Sequence, residues 1–314
     1  MANPTVSTGR IDAQMGQISL ANGTDLSEYI NGKVLPSVPV AERSGKIVAY
    51  GNEHMRTYSS FRSDDDRSNH EIDFKVTNTD SYEVGFHDLE FYISDQKAQA
   101  FQKPIDMKRD ATLVLDRMKN QSMEGALATA LADATVLTNT TTPATLWDVA
   151  TSNPVSDIET ACEAVRGKKG RRPNYAVTNA VVISKLQSHP AYVDRSKYSQ
   201  KLGVISKRDL IDMIKLDHGL DDVYVGQAVG VTTQEGQAET VADLWQDDFL
   251  VYTAPKRGSL FTPSFGYRFE MAEFNYFDTR RSPNDKGNIY RTNWAFQDNI
   301  LDVDASYLLN QVIT

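Results

Sequence analysis

A single cysteine among 314 residues leaves no internal disulfide to form. Cys162 stands in the stretch DIETACEAV at helical spacing from Ile158 and Val165, where a small core residue is expected. No run approaches the roughly 18 consecutive apolar residues of a membrane helix. The opening MANPTVSTGRIDAQMGQ lacks the basic start and apolar core of a signal peptide, so cytosolic synthesis and folding are expected, with no membrane partner. Positive charge is also short: 33 Lys and Arg against 42 Asp and Glu give a net charge of −9, which argues against attraction of the whole protein to nucleic acid or anionic membrane.

Enzyme motifs are absent too. Neither Gly45-Lys46 nor Gly167-Lys168 has the upstream glycine and following hydroxyl residue of a phosphate-cradling loop. No G-x-G-x-x-G or G-x-S-x-G occurs. The histidines, His54, His70, His87, His189 and His218, are scattered without metal-ligand spacing, and His189 before Pro190 reads as a helix terminator. No catalytic residue, cofactor or metal ligand is therefore assigned. Asp64-Asp65-Asp66 has the oxygen chemistry of a divalent-cation site, but adjacent carboxylates more often form a solvated loop tip; Asp221-Asp222 reads the same way. The densest positive cluster, GKKGRRP, carries Lys168, Lys169, Arg171 and Arg172. It could touch phosphates, yet it holds no stacking aromatic and reads best as a solvated turn between a helix and a strand.

What the chain does contain is organised in blocks of different character. Residues 1 to about 33 are polar and weakly periodic, with a short helix expected near Asp25 to Ile30. Such a segment is too poor in apolar surface to order itself, so it is either disordered or held against another surface. The apolar stretch LPSVPV and a charged turn lead into a strand at Lys46 to Tyr50. A long polar span follows, and then YEVGFHDLEFYIS, where Val84, Phe86, Phe91 and Ile93 suggest a half-buried strand. A hairpin so long and polar contributes little to its own core.

Asp106 is an expected N-cap for an amphipathic helix running to near Leu137, with Met107, Ala111, Val114, Leu115, Met118, Ala126, Leu127, Ala130 and Leu131 on its apolar face. Beyond a turn-rich boundary the pattern becomes α/β. A helix is expected from Val155 to Val165, a strand at YAVTNAVVI, a short helix from Ser184 to Gln187 and a second amphipathic helix from Lys207 to Leu216. A strand at VYVGQAVG and a hairpin strand in DLWQDDFLVYTAP come next. From Ser264 the chain is strand-rich, and its aromatics, Phe261, Phe265, Tyr267, Phe269, Phe274, Tyr276, Phe277, Tyr290, Trp294 and Phe296, are expected to pack a sheet.

The phrases VLPSVPVAERSGKIVAYG, HPAYVDR, VYVGQAV, LWQDDFLVYTAP and PSFGYRFE, in that order, resemble the major capsid proteins of tailed double-stranded-DNA phages, the Hong Kong ninety-seven fold. The resemblance implies an α+β fold with an N-terminal arm (1–42), an extended β-hairpin loop (43–84), a peripheral domain with a spine helix (85–150), an α/β axial domain (151–261) and peripheral return strands (262–314). It implies self-assembly through hexamers and pentamers into an icosahedral shell around non-specifically packaged double-stranded DNA, in a virion assembled in the host cytoplasm. A portal and a decoration protein are implied as further partners. No long charged helical leader is present, which implies a separate scaffolding protein or an already processed chain. The charged residues of the loop, Arg43, Lys46, Arg56, Arg62, Asp64, Asp65, Asp66 and Arg67, become candidate inter-subunit contacts. Two alternatives remain: an encapsulin-like compartment shell of the same architecture, and an α/β enzyme with dispersed site residues.

Overall fold

A long helix ties two five-stranded sheets together, and each half of that helix serves a different sheet. The structure is a computed structural model, and it describes residues 12–22, 26, 28–50, 76–100, 106–196, 205–231, 233, 236–258, 264–282 and 286–314. In chain order the first elements are α1 (Ala13–Asn22), α2 (Asn31–Val34), β1 (Ser37–Pro39), β2 (Ser44–Tyr50), β3 (Val76–Glu83), β4 (Gly85–Ser94), α3 (Asp95–Ala100) and α4 (Met107–Ala132). The middle comprises β5 (Thr140–Thr141), α5 (Pro154–Lys169), β6 (Tyr175–Asn179), α6 (Ala180–Gln187), α7 (Pro190–Ser196) and α8 (Lys207–His218). The remainder is β7 (Asp222–Gly226), β8 (Val229–Val231), β9 (Val241–Asp243), β10 (Phe249–Tyr252), β11 (Gly266–Glu270), β12 (Tyr276–Ser282), β13 (Gly287–Ile300) and β14 (Ser306–Leu309).

The first sheet is built on β13, which pairs β4 along one edge and β12 then β11 along the other; β1 adds parallel to β11. The second has the order β5-β14-β10-β6-β7. Asp106 caps α4 as expected, accepting from the amides of Lys108 and Arg109. The helix has 26 residues, about 39 Å at 1.5 Å per residue, and stops at Ala132 rather than near Leu137. Leu115, near its start, packs with Met15 and Phe277 beside the first sheet. Leu127, Ala128 and Leu131, near its end, pack with Val177, Leu250 and Leu308 of the second. Its buried stripe includes Thr112, Asp116 and Glu124, whereas Val114 and Met118, expected on the core face, are exposed.

The second sheet's core gathers Trp147, Ile158, Cys162, Leu186, Tyr192, Leu210, Phe249 and Val312. Cys162 is fully buried there, and burial pushes its thiol up to about 11, as expected of a packing residue. Helix α5 starts at the Asn153 cap with Pro154 in its first turn and ends at Gly170, whose φ of 72° only glycine adopts cheaply.

Several expectations are corrected. No helix occupies the described residues between Asp25 and Ile30; helices lie on either side, α1 and α2. The described residues between 12 and 40 pack on their own subunit: Met15, Tyr29, Ile30, Val34, Leu35 and Val38 are buried in it. YAVTNAVVI is strand only to Asn179, whose side chain accepts from Val181 N and caps α6, so the helix begins four residues earlier than expected. VYVGQAVG divides between β7 and β8, which belong to different sheets. The FLVY of DLWQDDFLVYTAP is no hairpin arm but the central strand β10, flanked by distant β14 and β6. The last strand, β14, joins the second sheet, as does β5, so the blocks 85–150 and 262–314 each contribute to both. In β4 only Ile93 is buried; Phe86 and Phe91 are exposed. The late aromatics do form core: Phe265, Tyr267, Phe269, Phe277 and Trp294 are buried, while Phe261 lies outside the described residues.

Candidate assembly surfaces

Among the described residues, strands β2 and β3 pair only with each other and leave the first sheet as a hairpin whose base is firmly seated. Ile47, Tyr82 and Val84 pack with Tyr267, Phe269, Met271 and Ala295, and the Tyr82 ring stacks on Phe269 at 4.6 Å. Gly45 lies under the Tyr82 ring, where a Cβ would come within 2.7 Å of it. Arg43 pairs with Glu83 at 3.0 Å across the hairpin base, and its guanidinium stands 5.4 Å from the centre of the exposed Phe86 ring. Both partners of that ion pair are more than half exposed, so the pair itself adds little to folding. Lys46 is exposed one step further along β2. Arg56, Arg62, Asp64, Asp65, Asp66 and Arg67 lie outside the described residues.

The basic cluster sits at the C-terminal end of α5, where cations complement the helix dipole. Lys168 pairs with Asp304 at 2.9 Å and Lys169 with Asp302 at 2.6 Å. Arg172 grips both oxygens of Glu159 at 2.6 Å, and His218 Nδ1 meets the same carboxylate at 3.0 Å. Although partial burial opposes it, the hydrogen bonds from His218 and Arg172 hold the Glu159 carboxyl below its ordinary value. Much of the positive charge visible in the sequence is thus neutralised within the subunit, by acids up to 136 residues away.

Where α4, the start of α2 and the first sheet converge, a buried polar chain holds them. Glu124 on α4 is fully buried and accepts from Ile30 N at 3.0 Å, Asn31 N at 2.6 Å and the Trp245 indole at 2.7 Å. Burial raises its carboxyl above the ordinary value even though these donors favour the ionised form. Asn31 in turn accepts from Arg268 Nη1 at 2.8 Å, and Arg268 forks onto Asp298 at 2.6 and 2.7 Å. No local pattern announces this chain, because its links span 30 to 237 residues. His189 is likewise structural: its Nδ1 accepts from Ala191 N at the start of α7, and its Nε2 lies 3.0 Å from Ser152 Oγ. Among the described residues no cluster of His, Cys, Asp or Glu could hold a metal ion, and no helix is long and apolar enough to cross a membrane.

No family model matches the sequence. It is 28% identical over 312 residues to the major capsid protein of Burkholderia phage BcepMu, covering 94% of each chain. The crystal structure of a phage-related protein from Bordetella bronchiseptica RB50 superposes with a TM-score of 0.74 at 22% identity, over 96% of this chain and 97% of that one. The capsid of Myoviridae phage XM1 superposes with a TM-score of 0.52 at 8% identity, over 87% and 88%. The α+β architecture, with its seated hairpin and long bridging helix, is therefore the phage capsid fold of the Hong Kong ninety-seven type, and over nearly its whole length the chain resembles a phage major capsid protein.

Proposed function

We propose that this chain is a major capsid protein whose copies assemble into an icosahedral shell enclosing double-stranded DNA. The observation that carries the reading is end-to-end similarity to a phage major capsid protein, together with a capsid fold. The hairpin supports it physically: β2 and β3 are anchored at their base, where Gln297 and Asn299 bond the backbone of β3, yet they join neither five-stranded sheet, so the hairpin beyond that base is offered to a neighbour. Shell subunits gain from such projections because area buried between copies accumulates over many contacts.

In this reading the protein has no catalytic role. Hexamers and pentamers of the chain build the shell in the host cytoplasm, and Arg43, Lys46, Arg56, Arg62, Asp64, Asp65, Asp66 and Arg67 contribute inter-subunit contacts. A scaffolding protein, a portal and a decoration protein are its further partners. DNA is held without sequence readout. The ion pairs of Lys168, Lys169 and Arg172 favour an intramolecular role for the basic cluster over a phosphate-binding one.

Electron microscopy of the purified, concentrated chain tests the reading: rings or closed particles are expected, and a protein that stays monomeric at all concentrations would contradict it. Nucleic acid inside particles isolated from producing cells separates a DNA shell from a protein-cargo compartment.

A further inference from the structure

Among the described residues, hairpin β8–β9 pairs with no other strand. Val231 stands opposite Val241, and Val229 lies two residues along the same strand, so all three valines share one face. They are 51%, 53% and 59% exposed for Val229, Val231 and Val241. The other face is occupied at Gly230, where a Cβ would fall 2.7 Å from Leu244 and 3.2 Å from Gln121. Two three-residue strands make a marginal ribbon in water, and three bare valines on its outer face call for a cover. The surroundings are acidic: residues 216 to 255 contain no Lys or Arg, and Glu239 and Asp243 are exposed, each without an ion pair among the described residues.

A surface of opposite character lies at the other end of β7. There a cleft of about 440 Å³ opens between residues 32–37 and 254–258, with Tyr175 and Tyr224 stacked at 5.7 Å in its wall. Lys33, Lys256 and Arg257 stand exposed around it. Lys33 and Arg257 have no ion pair among the described residues, and Lys256 has only a 3.9 Å contact with Asp221. Val34 and Leu35 lie buried beneath it, so its accessible apolar surface is that of the half-buried Tyr175 and Tyr224.

We propose that the valine hairpin of one copy seats in this cleft on the next copy, with Glu239 and Asp243 against Lys33, Lys256 and Arg257. Within one subunit no residue of the hairpin lines the cleft. Tyr224, in the cleft wall, stands two residues before the end of β7 at Gly226, beyond which the hairpin departs, about 7 Å further along the strand. Knob and hole are different surfaces, so their contact is heterologous and closes into a ring when the rotation between copies allows it. The occupant is a second copy because free acids on the hairpin meet free bases around the cleft on the same chain, while the valines cover the half-buried rings of Tyr175 and Tyr224. The inference rests on the shell reading and specifies one contact within it.

The test uses the full chain and two reciprocal charge reversals, Glu239→Lys with Asp243→Lys, and Lys256→Glu with Arg257→Glu. Assembly is followed by sedimentation velocity and electron microscopy, and folding by circular dichroism. Each pair alone is expected to raise the concentration needed for assembly about tenfold, because every copy in a ring loses two such contacts. Combining all four in one chain is expected to restore most of it. As a second readout, Val231→Cys and Arg257→Cys proteins mixed under oxidising conditions are expected to give a disulfide-linked dimer that neither forms alone at the same rate. Unchanged assembly in both reversal variants, or weakened assembly with no restoration and no cross-link, overturns this contact while leaving the shell reading intact. A wild-type chain that never assembles overturns both.

Discussion

Strand β10 and hairpin β8–β9 are made from similar residues and meet opposite fates. Phe249, Leu250, Val251 and Tyr252 are all buried, because β14 and β6 flank them and helices cover them. Val229, Val231 and Val241 stand more than half exposed, because their two strands have only each other. Apolar character therefore marks two things in this molecule: surface satisfied within the subunit and surface left over. The second kind also includes Phe86, Phe91 and Tyr92 on β4, and Val114 and Met118 one turn apart on α4. For a subunit whose copies pack against one another, the leftover set is as informative as the core.

The comparison breaks most readily at the core. Trp147 is fully buried, edge-on to Phe249 at 5.6 Å, and donates its indole N–H to Asp157 at 2.9 Å. Trp147→Ala should lower stability by about 3–5 kcal/mol in urea unfolding, since the surrounding elements cannot close on the void. A loss of similar size is expected at Arg268, which is 1% exposed and shares a fork of hydrogen bonds with Asp298. Arg268→Ala leaves that carboxylate nearly buried and unpaired, at a cost of about 3–5 kcal/mol. A cost below about 1 kcal/mol in either variant would mean that these regions do not form one cooperative core.

Glu124 sharpens the contrast between local and long-range stabilisation. Glu124→Ala strands the amides of Ile30 and Asn31 and the Trp245 indole, for about 3 kcal/mol. The penalty should depend on pH. The folded carboxyl holds its proton more tightly than an unfolded glutamate. Its contribution is therefore complete below the ordinary value of about 4.3 and falls as pH rises through the raised folded value. The difference between wild type and variant should thus be larger near pH 4 than near pH 7. Equal differences at both would show that the carboxyl is not shifted upward.

How much of this could be read in the sequence divides along the same line. The Asp106 cap, the body of α4, Cys162 as a packing residue and the aromatic sheet were all legible, since periodicity and capping are local. So was the order of parts that resembles a capsid protein. The placement of β10, β14 and β5 in one sheet was not, because pairing over long separations leaves no local pattern. Nor was the Glu124 chain, where a charged residue on the inner stripe of α4 reads as a solvated one until Ile30 and Trp245 arrive to meet it. Residues 1 to about 33 looked too polar to order themselves, yet the described part of this segment docks at home. Their few apolar side chains suffice because Val34 and Leu35 insert beside α4 and β1 extends an existing sheet.

The smallest effect on folding belongs to the leftover surface. Arg43 is exposed, its pair with Glu83 is in water, and its stacking on Phe86 covers a ring that remains nearly half exposed. Arg43→Ala should change the unfolding free energy by no more than about 0.5 kcal/mol, as for most surface substitutions. Its effect on assembly should be larger, because the hairpin base is where an extended segment would begin to cross a neighbour, and each lost contact is repeated in every copy. The measurement is a pair: urea unfolding of dilute protein, and the concentration at which particles form. If Arg43→Ala weakens folding and leaves assembly unchanged, the hairpin base belongs with the subunit's own core after all, and the division between satisfied and leftover surface moves outward past β2.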